Sequence, residues 1–465
     1  MPNSQISTIQ ASYIESTPPF SESAVIYPPG SRAGEPGVEF FYRAGYVLTR
    51  ERDQQNVLNA LQRLGPTLST PDAQLEGGRL DSHPIPGLTL IELVFRNKGR
   101  GQSKEQVNAE VMFRALEAIE QQFGAGTVAP DHLLSVTANG AGGVAGWCPA
   151  TEPDVPPAGA SPWPGISPSR CDGRGTLVAV VDCGLVKDAA ETHPWMHGVT
   201  GELDEQAPIG GLIKPYGCHG TFIASVIRAM APRTCVRVSR VLKDAGAAYE
   251  SDIVRDLLSV LDWAPDVISL SAGTHTWWSR GLLSFHVFVD GPLREHAGTV
   301  LVAAAGNDGA DWKFSPAEME PVIGVGALGL GDVRASFSDY GDWVKVFAPG
   351  QDLVHAYGRG SYTYMEPPRE NQTTHFNGMA IWSGTSFSTP IVAGLIAARM
   401  SGTGETSREA ADSLLRLARA QALIGVGPVL HPGQACLPLC ERPCRHHVRP
   451  ACGCTGSQHG ADPEG

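Results

Sequence analysis

A chain of 465 residues, at about 150 residues per domain, holds about three domains at most, and one large domain with a smaller companion fits equally well. Its 42% hydrophobic, 18% charged and 7% aromatic residues are those of an ordinary globular protein and exclude wholesale disorder or a fibrous architecture. The net charge of −13, from 48 acids and 35 bases, argues against a protein that holds nucleic acid by counterion release.

Residues 1–40 carry scattered Pro, Ser and Glu without periodicity and are expected to be a flexible leader. They lack the basic stretch and apolar core of a secretory signal, and no run of 18 apolar residues occurs anywhere. The simplest expectation is a cytoplasmic protein with no membrane contact. Residues 41–140 read as a small α+β domain: a strand at Tyr42–Leu48, an amphipathic helix at Arg50–Leu64, a strand at Leu88–Phe95, a helix at Ser103–Phe123 and a strand near Leu133–Thr137. This order resembles a ferredoxin-like split βαβ unit in which one strand is not legible. Residues 141–173 read as a linker, because Cys148 to Pro168 places seven prolines in 21 residues and so stiffens the chain.

From residue 174 to about 425 apolar runs alternate with helical patterns. Strands are predicted at Thr176–Val181, Val236–Leu242, Asp266–Leu270, Thr299–Ala304 and Val322–Val325, several of them apolar throughout, as expected when both faces of a sheet are covered. Helices are predicted at Thr221–Met230, Ser251–Trp263 with Ser251 as N-cap, Pro390–Met400 and Ser407–Ala420, the last with Thr406 and Glu409 at capping-box spacing. The alternation implies an α/β fold with a mostly parallel sheet, whose ligand crevice lies beyond the carboxyl ends of the strands.

Four residues stand at such ends. Asp182 follows the first strand in Val181-Asp182-Cys183-Gly184, and His219 precedes an apolar helix in Gly217-Cys218-His219-Gly220. Each alone is equally a turn or cap residue. Ser386, in Ser383-Gly384-Thr385-Ser386, opens another apolar helix, where a backbone NH and the positive dipole end favour a developing oxyanion; it also reads as a helix cap. Asn307 ends the small-residue strand in Ala304-Ala305-Gly306-Asn307, where its amide can donate into the crevice.

In this order Asp182, His219, Asn307 and Ser386 resemble the subtilisin-like serine peptidases, the subtilase family, over about residues 174–420. Ser271-Ala272-Gly273 looks like the family's substrate-binding strand, and Phe337-Ser338 and Ala348-Pro349-Gly350 look like its later structural blocks. An α/β-hydrolase does not fit, since Ser388 stands where Gly-x-Ser-x-Gly needs its second glycine, and both partners precede the serine. The resemblance implies a serine endopeptidase: Ser386 as nucleophile, His219 as base, Asp182 orienting the imidazole, Asn307 in the oxyanion hole. It implies substrate pairing along Ser271, Ala272 and Gly273, and a P1 pocket lined by Ala304, Ala305 and Gly306. The expected partner is a protein or peptide substrate, with no cofactor required. Family members often hold structural calcium, though no calcium loop is identifiable. Residues 41–140 read as a prodomain that occludes the cleft, or as a partner-binding module. The alternative function is a silent pseudo-peptidase that only binds.

Cys183, Ser225 and Ile391 depart from the family's usual residues without removing a catalytic group. Cys183 and Cys218 flank the site, and thiol reagents or oxidation are expected to inhibit if either sulfur is activated; the bland alternative is two buried residues with no role. Most thiols are expected to be reduced. The tail, residues 426–465, clusters Cys436, Cys440, Cys444, Cys452 and Cys454 with His446 and His447, a soft-ligand set for zinc whose spacing is not that of paired zinc knuckles; disulfides or an unstructured thiol-rich tail remain open.

Overall fold

The computed structural model describes residues 8–29, 31, 39–68, 73–97, 104–136 and 150–436. The segment expected to be a flexible leader is instead partly structured, with helix α1 (Thr8–Ser16) and strand β1 (Ala24–Tyr27), which pairs antiparallel with β2 (Phe40–Arg50). The correction has a packing cause. Ile14, Phe20 and Ile26 are buried, and the Tyr27 ring stacks on Phe40 at 4.8 Å. A few separated anchors of this kind set up no periodicity.

After β2 come α2 (Gln54–Leu64), β3 (Ala73–Leu80), β4 (Leu88–Asn97), α3 (Lys104–Phe123) and β5 (Val128–Ser135). This βαββαβ order, with antiparallel sheet order β5–β2–β4–β3, is the ferredoxin-like arrangement. Helices α2 and α3 cover one face through Val57, Leu61, Val111, Met112, Leu116 and Ile119. The strand that the sequence hides is β3: Gln74, Glu76, Gly77, Gly78 and Arg79 give it little β propensity. Gly78 is needed there because a Cβ would lie 2.6 Å from Ile91 Cγ2 on β4.

Residues 150–173 are extended and lie on the following domain, with Asp154 bridging Ile381 and Trp163 bridging Val354. The second domain runs β6 (Leu177–Asp182), α4 (His219–Met230), β7 (Cys235–Arg240), β8 (Ala247–Tyr249), α5 (Glu250–Leu261), β9 (Val267–Leu270), β10 (Val300–Ala304), β11 (Ile323–Leu328), β12 (Val346–Pro349), β13 (Leu353–Thr363), β14 (Thr373–Trp382), α6 (Thr385–Thr403) and α7 (Ser407–Ala420). Its central sheet, ordered β12–β11–β10–β9–β6–β7, is parallel throughout. Val178 and Val180 of β6 enter the core shared with α4, α6 and α7, whereas Ala179 and Val181 enter the core shared with α5. Both faces being covered, the strands read as apolar runs. The Thr406–Glu409 capping box forms as predicted.

The two domains share a sheet edge. Strand β8 pairs antiparallel with β5, Ala247 opposite Ser135 and Tyr249 opposite Leu133, so the first domain's sheet continues into the second. Ser251 is not the cap of α5; instead Asp131 on β5 accepts from Ser251 N at 3.1 Å and Ser251 Oγ at 2.8 Å. Beside it Glu250 Oε1 lies 2.6 Å from His132 Nδ1, and Trp277 N donates to His132 Nε2 at 3.1 Å. Asp131, His132, Glu250 and Ser251 are all buried.

Burial, with the Glu250 carboxylate next and against Arg43 at 3.7 Å, pushes the Asp131 carboxyl up to about 8 from an ordinary 3.8. The folded, docked state therefore binds a proton that the exposed group has released, and this contribution is lost as pH rises through about 8. The Tm of the wild-type chain is expected to fall more steeply than that of Asp131→Asn between about pH 6 and pH 9. Parallel profiles of the two proteins across that range would refute it.

Candidate active site

The carboxyl edge of the parallel sheet gathers the residues singled out in the sequence. Asp182 is the last residue of β6, and His219 is the first of α4, entered through Cys218 in the left-handed region at φ 71°. The imidazole Nδ1 lies 2.9 Å and 3.0 Å from the two Asp182 oxygens, and both side chains are fully buried. Gly220 makes this approach possible: a Cβ there would stand 2.5 Å from the Gly184 carbonyl oxygen and 3.3 Å from Asp182 Oδ1. The other face of the imidazole environment is aromatic, with Trp382 edge-on at 5.6 Å and Phe387 at 5.4 Å between ring centroids.

Ser386 stands in the first turn of α6, beside Phe387. His219 Nε2 and Ser386 Oγ are both buried, and neither has a hydrogen-bond partner among the described residues. No hydrogen bond joins the two; such contacts are commonly long in a free site and tighten with substrate. Buried polar atoms left without partners are uncommon and concentrate where function needs them. Asn307 follows β10 and turns its side-chain oxygen toward α6, accepting from Thr385 N at 2.7 Å and Thr385 Oγ1 at 2.9 Å, which directs its NH₂ group the opposite way.

Residues Ser271, Ala272 and Gly273 leave the end of β9, next to Ala304, Ala305 and Gly306 at the end of β10. Ser271 Oγ donates to the Ser386 carbonyl at 2.9 Å. Gly273 is already paired: Ser135 of the first domain exchanges two backbone hydrogen bonds with it, each 3.1 Å. The next residue, Val136, donates to the Gly246 carbonyl at 3.0 Å. The end of β5 thus lies as an antiparallel strand between two backbone edges of the second domain.

The sequence model of the subtilase family matches residues 173–424. The chain belongs to the subtilase family. A thermophilic serine proteinase from Bacillus sp. (strain AK1) is 34% identical over 247 residues, 48% of this chain and 51% of that protein. An extracellular serine proteinase from Thermus sp. (strain Rt41A) is 31% identical over 236 residues, 48% and 50% of the two chains. The chain spans about half the length of these two relatives. Among solved structures, fervidolysin from Fervidobacterium pennivorans superposes with a TM-score of 0.52 at 18% identity, covering 85% of this chain and 61% of that one, a likeness of fold.

As a subtilase, the chain accommodates its departures by packing. Ser225 Oγ accepts from Trp195 Nε1 at 2.8 Å and Ala356 N at 3.2 Å and meets His355 Nδ1 at 3.1 Å, so its hydroxyl is satisfied in the core. Ile391 is fully buried in the same core. Thr385 is a site residue the sequence analysis missed: its hydroxyl also lies 3.3 Å from both the Gly306 N and O, tying the β10 end to the start of α6. Its position directly before Ser386 was the available signal.

Cys183 and Cys218 are 1% and 0% exposed. Burial, then the carboxylate of Asp204, pushes both thiols well above their ordinary value. Both therefore stay protonated, and the reading of two buried residues without a chemical role fits them better than thiolate activation. Thiol footprinting at neutral pH should leave both unlabelled until the protein unfolds; modification of either in the native state would contradict this.

Most thiols were expected to be reduced; Cys183 and Cys218 are free, while Cys171 is disulfide-bonded to Cys436, with Cα atoms 6.2 Å apart. Cys148, Cys440, Cys444, Cys452, Cys454, His446 and His447 lie outside the described residues. Among the described residues no group of three or more His, Cys, Asp or Glu is arranged to hold a metal, and no helix is long and apolar enough to cross a membrane.

Proposed function

We propose that the chain is a serine endopeptidase acting on protein or peptide substrates through Asp182, His219 and Ser386. The observation that carries this reading is the buried Asp182–His219 pair, whose outer nitrogen has no other partner among the described residues while Ser386 Oγ, in the first turn of α6, has none either. In the reaction His219 Nε2 takes the Ser386 proton as Oγ bonds to the substrate carbonyl carbon. The imidazolium formed is stabilised by Asp182. Asn307 NH₂ and the Ser386 backbone NH hold the tetrahedral oxyanion. Its collapse breaks the C–N bond, the amine leaving with the proton from His219. Water, deprotonated by His219, then releases the acyl group and restores Ser386. These steps need no cofactor.

The strand pairing of Ser135 and Val136 with Gly273 and Gly246 supports a second part of the proposal. An extended substrate would add to the same edges. While the first domain is docked it competes for that place, so the full chain is held latent.

A fluorophosphonate should label Ser386 in the wild type and not in Ser386→Ala, with labelling rising as the first domain is cut away between Val136 and Thr176. Mass spectrometry should find that cut in active preparations. No labelling after the first domain has gone would defeat the peptidase reading. Asn307→Ala should retain labelling by small reagents yet lose about 10²- to 10³-fold in turnover of a peptide.

Gly220→Ala is expected to lower the labelling rate about 10²-fold with unchanged circular dichroism, because a displacement of about 1 Å separates base from carboxylate. An unaltered rate would show that α4 does not set the pair.

A further inference from the structure

A cleft of about 600 Å³ opens on the seam between the two domains, and none of Asp182, His219, Asn307 or Ser386 lines it. One side comes from the first domain, with Arg50 at the end of β2, Arg52 in the turn after it and Phe123 at the end of α3. The other comes from the segment that follows β9, with Trp277 and Arg280. In a chain of net charge −13, three guanidinium groups line this cleft against one carboxylate, that of Asp53. The two lining imidazoles are engaged elsewhere, His132 with Glu250 and Trp277 N, and His286 Nε2 with the Arg280 carbonyl at 3.2 Å.

The chain itself uses these cations only in part. Arg50 has no ion pair and no side-chain hydrogen bond among the described residues. Arg52 meets the neighbouring Asp53 at 3.5 Å with its own side chain 78% exposed, a pair of little strength. Arg280 reaches across the seam to Glu120 on α3 through Nη1, which leaves its Nε and Nη2 unpaired among the described residues. A guanidinium donates and never accepts, so the group that satisfies all three is an anion. Since they stand on both sides of the seam, a phosphoryl group, whose oxygens point several ways, suits them better than a planar carboxylate. The volume is that of a small-molecule site and exceeds what a bare phosphate fills. Phe123, 37% exposed, and the Trp277 ring supply apolar surface for the remainder of such a molecule.

We propose that this cleft binds a phosphorylated small molecule of nucleotide size, its phosphoryl oxygens held by Arg50, Arg52 and Arg280 and its organic body lying on Phe123 and Trp277. Because the cations come from both domains, the bound molecule bridges them and favours the docked arrangement. At 100 times its dissociation constant it lowers the undocked fraction about 100-fold. The site itself stands apart from the peptidase reading, since binding there needs no catalysis.

The test uses the full-length chain carrying Ser386→Ala, so that neither latency nor turnover affects the result, and calorimetric titration with ADP, pyrophosphate and adenosine at one ionic strength without divalent cations. ADP is expected to bind one-to-one and about 10-fold or more tightly than either of the other two. Arg50→Ala and Arg280→Ala should each weaken ADP binding about 10-fold or more, whereas Arg416→Ala, the same change of charge on the exposed face of α7, should leave it unchanged. Arg50 has no partner to lose, so its replacement breaks no contact of the fold. Failure of ADP to bind at millimolar concentration overturns the proposal. ADP bound no tighter than pyrophosphate leaves the apolar walls without a role, and ADP bound no tighter than adenosine leaves the guanidiniums without one; either overturns it. Undiminished binding in Arg50→Ala or in Arg280→Ala removes the bridge between domains and overturns it as well. None of these outcomes bears on the peptidase reading, which fluorophosphonate labelling decides separately.

Discussion

Helix α4 meets strand β6 where Gly220 has room for a hydrogen and nothing larger, with the Gly184 carbonyl 2.5 Å from where a Cβ would be. The spacing of Asp182 and His219 follows from that contact, since one residue ends the strand and the other begins the helix. Around it the remaining groups are placed by elements that also form the core. Trp382 and Phe387 wall the imidazole, and Thr385 fastens the Asn307 amide to the start of α6. A site assembled at the ends of packed elements has little freedom to adjust.

The same economy marks the junction between domains. The first domain does not rest on the second through side chains alone; β5 and β8 make one continuous sheet, and the end of β5 reaches Gly273 through Ser135 and Gly246 through Val136. Backbone pairing fixes the register, and the buried set of Asp131, His132, Glu250 and Ser251 fixes which two surfaces meet. A parallel sheet forms slowly because its contacts are distant in sequence. The neighbouring antiparallel unit presents its edge to β8 and, through Asp131, holds the first turn of α5.

Much of this was legible in the chain itself. The apolar runs of β6, β9 and β10 and the position of Asp182, His219, Asn307 and Ser386 beside them identified the sheet and its crevice, because strands covered on both faces must be apolar and the ligand edge must be their carboxyl end. What stayed hidden depended on distant partners. β3 is written in Gly and charged residues and is a strand only because β4 lies against it. The leader is ordered by Phe20 meeting Tyr249 of the second domain and Tyr27 stacking on Phe40 of β2. Ser251 has the sequence signature of a cap, but its NH goes to Asp131, 120 residues away in the chain.

Cys171 stands just before β6 and Cys436 just after α7, so their bond closes a ring of chain whose ends are 265 residues apart and which contains every element of the second domain. Severing the connection to the first domain on the amino-terminal side of Cys171 leaves that ring intact. A single accidental scission in any loop within it would produce two fragments that remain covalently tethered, and only a second scission could let a piece diffuse away. On the proposed peptidase reading, a chain exposed to its own kind of hydrolysis would in this way outlast the first damage to its backbone.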